Sequence, residues 1–155
     1  MKTLILLSLT LFMSNSFSLE IKISRPCDNQ VYSEKNYEAN SNDTVGDLTI
    51  KLLAESGIPF IGAKEGFNSI FNTPIGLDAM DIISDDQMRA YGWCYTVDGE
   101  IPEVLPNKFI LNNNHQVIRW FYGYAFYRAG VWESQCEDSS EQALTQYCLD
   151  LSSTL

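Results

Sequence analysis

The chain has 155 residues, with 20 acidic against 10 basic side chains and a formal net charge of −10. That length suits one domain behind a short leader, and such an acidic field repels nucleic acid phosphates and anionic lipid headgroups, which excludes both as partners. Four cysteines and no C-x-x-C pair exclude a zinc ribbon or a thioredoxin-like redox site.

In chain order, Met1-Lys2-Thr3, the apolar block Leu4 to Met13, and Ser14-Asn15-Ser16-Phe17-Ser18 follow the pattern of a secretory signal over residues 1–18. The block is too short to span a bilayer, and no second apolar run is long enough to do so. Cleavage is expected after Ser18, giving a mature chain from Leu19 that is exported, periplasmic or secreted. Loss of Lys2 leaves 9 basic side chains (10 minus 1) against 20 acidic ones, a formal charge of −11. With no cysteine at the boundary, a lipid anchor is not indicated.

Residues 19–43 form an N-terminal strand and a loop. Ile21 and Ile23 alternate with polar neighbours up to Arg25-Pro26, as in a half-buried strand, while Asp28 to Asp43 reads as a second strand or a long loop. Thr44-Val45-Gly46-Asp47 has the spacing of a capping box, and Val45, Leu48, Leu52 and Leu53 keep helical intervals up to Ser56-Gly57, so one helix stopped by Gly57 and Pro59 is predicted. Phe67 to Phe71 is the next strand. Leu77 to Met88 reads as an irregular or helical excursion, with Leu77, Met80 and Ile83 at helical intervals. Trp93 to Val97 is a strand closed by the turn dipeptide Asp98-Gly99. Glu100 to Pro106, with two prolines, is a loop, and Lys108 to Leu111 is a short strand. Val117 to Trp132 carries seven aromatic residues and reads as a long strand bent at Gly123 with a turn near Ala129-Gly130. Leu144, Tyr147, Cys148 and Leu151 suit a short helix in the tail, residues 137–155.

An even number of cysteines in an exported chain points to two disulfides. Three pairings are open; Cys94 with Cys136 and Cys27 with Cys148 is preferred, because the first pair flanks the aromatic strands and the second lies near the two mature ends.

One helix laid across a mixed sheet gives an α+β fold of β-grasp type, stapled by disulfides. Thr44 to Leu48 opening a helix, the Gly-rich link to Phe67-Asn68-Ser69-Ile70, Gly92-Trp93-Cys94-Tyr95-Thr96-Val97-Asp98-Gly99, and Val117-Ile118-Arg119-Trp120-Phe121-Tyr122 together resemble the exported modules called domain of unknown function 4430. That family is similar to the C-terminal β-domain of transcobalamin and intrinsic factor. The resemblance spans residues 44–136. It implies a β-grasp domain and, by analogy alone, a surface able to cap a flat ligand such as a corrinoid; no cofactor is required.

The candidate ligand-binding residues are Phe67, Trp93, Tyr95, Trp120, Tyr122 and Tyr124, since aromatic faces stack on planar ligands, sugars and peptides. The competing reading makes them core. Strand alternation sets Ile118, Trp120, Tyr122 and Tyr124 on one face and Val117, Arg119, Phe121 and Gly123 on the other, and one helix covers only one side. His115, the only histidine, sits in an Asn-rich turn and reads as a solvated loop residue. Asp78, Asp81, Asp85 and Asp86 lack the alternate spacing and turn glycine of a calcium loop, so no metal site is assigned. No Gly-x-Ser-x-Gly elbow, His-Glu-x-x-His helix or phosphate-binding Gly loop occurs, and no catalytic residue is assigned. The expected protein is a non-catalytic exported small-ligand-binding or accessory module; the alternative is an envelope protein-protein interaction or structural domain with no small ligand.

Overall fold

A computed structural model describes residues 16–28, 30–115, 117–139 and residues 142, 144, 147 and 148. Eight strands, one α-helix and one 3₁₀ turn make up the described chain: β1 (Ser16–Ser24), β2 (Val31–Asn40), α1 (Val45–Glu55), β3 (Phe60–Ala63), β4 (Gly66–Ile70), a 3₁₀ turn (Gly76–Ala79), β5 (Met80–Ser84), β6 (Gln87–Val97), β7 (Val117–Arg128) and β8 (Val131–Asp138). Six strands form one sheet in the order β2-β1-β7-β6-β5, with β8 also paired to β7, while β3 and β4 form a separate hairpin. The described residues are mostly β-sheet, with α1 as their one named α-helix.

The sheet is mixed because β1 runs parallel to β7, with Ile21 beside Ile118 and Ile23 beside Trp120, whereas the other pairs are antiparallel. Residues 1–15 of the expected signal lie outside the described residues. The last three, Ser16 to Ser18, open β1 opposite Asn40, Ala39 and Glu38, so the strand starts ahead of the expected cleavage point.

The helix forms where its local signals stand. Thr44 Oγ1 accepts the Asp47 amide at 3.2 Å, capping the helix, and donates to Asp47 Oδ2 at 2.7 Å, so the shorter Asp meets the capping hydroxyl where a Glu would reach the backbone amide. Gly57, at φ +64°, turns the chain away after Ser56. Val45, Leu48, Leu52 and Leu53 are buried against the sheet. Burial of a leucine side chain contributes about 1.5–3 kcal/mol, which makes that face, rather than helix propensity, the main source of the helix's stability.

Four expectations are corrected or completed. Of the two readings of Asp28 to Asp43, the strand holds over Val31–Asn40, which forms β2. Leu77 to Met88 is not helical: after the 3₁₀ turn, Met80, Asp81 and Ile82 pair with Ala90, Arg89 and Met88, since β-branched Ile82 and Ile83 favour a strand and Ser84 Oγ donates to Asp86 Oδ1 in the connecting turn. Lys108 to Leu111 reduces to one bridge, Ile110 to Thr44, because its backbone instead holds the helix entry, where Phe109 O accepts the Val45 amide. At Gly123 β7 does not break; its glycine is needed because an added Cβ would lie 2.7 Å from Glu137 O of β8.

Both disulfides, Cys27–Cys148 and Cys94–Cys136, form as expected, with Cα separations of 5.7 and 5.8 Å. Such bonds belong to an oxidising compartment. Of the tail, Tyr147 and Cys148 are helical, while Leu151 lies outside the described residues. No helix among the described residues is long and apolar enough to cross a membrane.

Candidate functional site

Strand alternation places Tyr91, Trp93 and Tyr95 of β6 and Trp120, Tyr122 and Tyr124 of β7 on one face, with Trp120 packed under α1, and turns Phe121 to the other. Trp120 is 1% exposed and Tyr122 2%, Phe67, Trp93 and Tyr95 are buried, and Tyr124 is half-buried where the helix no longer reaches. Their rings pack on one another: Phe67 meets Trp120 edge-on at 4.9 Å, Tyr95 stacks on Trp120 at 5.3 Å, and Trp93 tilts against Tyr122 at 5.6 Å. Their polar tips are also claimed from within. Trp120 Nε1 donates to Thr49 Oγ1 at 2.8 Å, Trp93 Nε1 to Thr73 Oγ1 at 2.9 Å, and the Tyr95 hydroxyl to Val104 O at 2.6 Å. The expected open stacking platform is therefore a core. Rings of this kind add about 0.5–1.5 kcal/mol per pair beyond area burial.

Burial makes these phenols hard to ionise. Loss of solvent pushes the Tyr95 hydroxyl up to about 12, and it raises Tyr122 further, with Tyr147 and Tyr91 adding to the effect. The Tyr122 hydroxyl has no hydrogen-bond partner among the described residues. A buried unpaired hydroxyl costs about 1–3 kcal/mol. Tyr122→Phe is accordingly expected to leave the melting temperature unchanged or higher, as read by thermal denaturation; a clear fall would mean that the hydroxyl is bonded.

Four of the six aromatics nevertheless share one opening. Phe67, Trp93, Tyr95 and Trp120 line a cleft of about 440 Å³ whose opposite wall is the loop bearing Ile101, Val104 and Leu105. Those three apolar side chains are about half-exposed. The loop is held at several points: Tyr95 donates to Val104 O, Gly46 N bonds Pro106 O at 3.1 Å, and Asn107 Nδ2 donates to Glu65 Oε1 at 3.2 Å across the mouth. An aromatic wall, an apolar lip and a fixed loop give a preformed concave site within the usual range of small-molecule pockets, roughly 300–1,000 Å³.

Tyr124 lies elsewhere, on a shallow groove of about 300 Å³ with Ala90, Gly92, Ala125 and Trp132. Tyr122 lines neither. A second cleft, of about 520 Å³, lies on the far side of Asn68 and Trp93, against Pro74 to Gly76 and Ala90 to Gly92.

Sequence reasoning passed over the lip. Its signal was present, since Ile101 before Pro102 and Val104-Leu105 before Pro106 put three large apolar residues in a short loop that would otherwise only connect strands. His115 Nδ1 accepts the Asn112 amide at 3.2 Å and its ring lies beside Phe109, Asp81 pairs with Arg89 at 3.0 Å, and no cluster of three metal-ligating side chains occurs among the described residues. No protein-family model matches the chain, and no curated protein matches it significantly.

Proposed function

We propose that this chain is a non-catalytic, exported binding module of β-grasp type, and that a small planar or apolar ligand enters the cleft between the Ile101–Pro106 loop and the aromatic wall. One observation carries the reading: four aromatic rings from β4, β6 and β7 converge behind half-exposed Ile101, Val104 and Leu105. Apolar side chains held open to water beside a preformed cavity are what a ligand's apolar surface would cover. Two disulfides and the leader-like first residues support export to the periplasm or the medium. Likeness to the transcobalamin C-terminal domain fits a capping role. The cleft is smaller than a corrinoid, so such a ligand would rest across the mouth rather than inside it.

Val104 is 47% exposed, so Val104→Glu should fold normally while placing a charge in the mouth. Native mass spectrometry of protein gently purified from its source is expected to show a small-molecule adduct that Val104→Glu loses, and the neutral dye Nile red should brighten with wild type and about tenfold less with the variant, the loss expected from a charge in an apolar pocket. Equal dye response in the two proteins, with no adduct in either, would reject the cleft.

A further inference from the structure

The sheet has three strands that end its hydrogen-bonded rows, and two are defended. β2 carries Glu34, Lys35 and Glu38, with Lys22 bridging Glu34 and Lys35 bonded to Glu55; β8 carries Glu133, Glu137 and Asp138. Charged side chains of this kind block pairing with other chains. β5 differs. Asp81 is tied back to Arg89, and the large side chains left outward are Ile82, 66% exposed, and Ile83, with Leu77 at 85% and Ile75 just before them.

The backbone of this edge is open as well. Val97 N bonds Glu100 O while Asp98 N bonds Val117 O, so odd-numbered residues of β6 direct their backbone groups away from β7, and the register to β7 runs unbroken back to Gln87. Arg89 therefore bonds towards Asp81, its partner on β5. By alternation the amide and carbonyl of Ile82 point outward, where no further strand pairs among the described residues.

Charge decides what can occupy the edge. Residues 77–86 hold Asp78, Asp81, Asp85 and Asp86 and no lysine or arginine. A second copy docked in an antiparallel register centred on Ile82 would set Asp86 opposite Asp78, between two chains that each carry −10. Like charges placed across an interface disfavour that pairing, whereas a cationic partner gains from the same field. We propose that β5 is a docking edge for an extended segment of a partner protein, with apolar side chains at its centre and lysine or arginine at its ends, added as a further antiparallel or parallel strand beside Ile82. Main-chain bonds would supply affinity, and the exposed isoleucines with the flanking aspartates would supply selection.

Panning a display library of random decapeptides against the immobilised wild-type protein tests this directly. The expected result is enrichment of sequences with alternating apolar residues and basic ends, bound about tenfold more weakly by Ile82→Lys and weakened by salt, as for a strand edge given a repelling charge. Ile82→Lys should keep the wild-type melting temperature, because the side chain is exposed. Amide exchange at Ile82 should slow when an enriched peptide is bound. No enrichment, enriched peptides without basic residues, or binding indifferent to Ile82→Lys would overturn the proposal. So would a concentration-dependent dimer abolished by Ile82→Lys, which would assign the edge to a second copy. Val104→Glu should leave peptide binding unchanged, so failure of the cleft and failure of the edge are separable.

Discussion

Replacing Trp120 with alanine is expected to lower stability by about 3–5 kcal/mol, the range for deleting a large buried aromatic. The ring is 1% exposed, touches Phe67 and Tyr95, lies beside Ile23 across the parallel pair, and donates its indole N–H to Thr49 on the helix. Its removal opens a void where helix, hairpin and sheet meet, and leaves the Thr49 hydroxyl without its donor. Because a domain's total stability is about 5–15 kcal/mol, the variant should unfold at markedly lower urea concentration. Trp132→Ala is the matched comparison: that ring is 45% exposed and its loss should move the midpoint little. Equal shifts for the two variants would mean that Trp120 is not the centre of the core.

The second large effect is expected from the Cys27→Ser, Cys148→Ser double variant. That disulfide joins residues 121 apart, tying the end of β1 to the tail. Constraint of so long an unfolded loop gives a stabilisation of about 2–5 kcal/mol when the bridge is native. Changing both cysteines together avoids a stray thiol. Thermal denaturation should show a fall of many degrees, and thiol labelling of denatured, unreduced wild type should find no reactive group. Two labelled thiols per wild-type chain would contradict one of the two bridges, and four would contradict both.

The parts of this fold that could be read from sequence are those specified by neighbours in the chain. Thr44, Asp47 and Gly57 mark both ends of the helix, and Asp98-Gly99 and Ala129-Gly130 mark turns where φ is positive. β5 could not be read in this way, because Leu77, Met80 and Ile83 satisfy a helical interval equally well and only pairing with Ala90, Arg89 and Met88 decides the matter. Gly123 shows the same limit: its composition suggested a bend, whereas its cause is the approach of Glu137 from another strand.

The candidate site was legible only in part. Aromatic residues at alternate positions of β6 and β7 identify a face but not whether it meets solvent or a helix, and Trp120, Trp93 and Tyr95 prove to have their polar tips bonded internally. That Phe67 joins them depends on how the β3–β4 hairpin folds over the sheet. The lip was missed because its apolar residues acquire meaning only once Tyr95 fixes Val104 above the cleft.

The account rests on a cleft walled by Trp93 and Trp120; Trp93 also borders the neighbouring groove that holds Trp132, so Trp120 belongs to the cleft and Trp132 to the groove. The most direct measurement follows the three indole N–H resonances while the neutral planar compound 2-naphthol is titrated into the folded protein. Binding in the cleft should shift the Trp93 and Trp120 signals, saturate, and leave that of Trp132 in place. Saturable shifts of Trp132, with or without Trp93, while Trp120 stays in place, or no shift in any of the three, would contradict it.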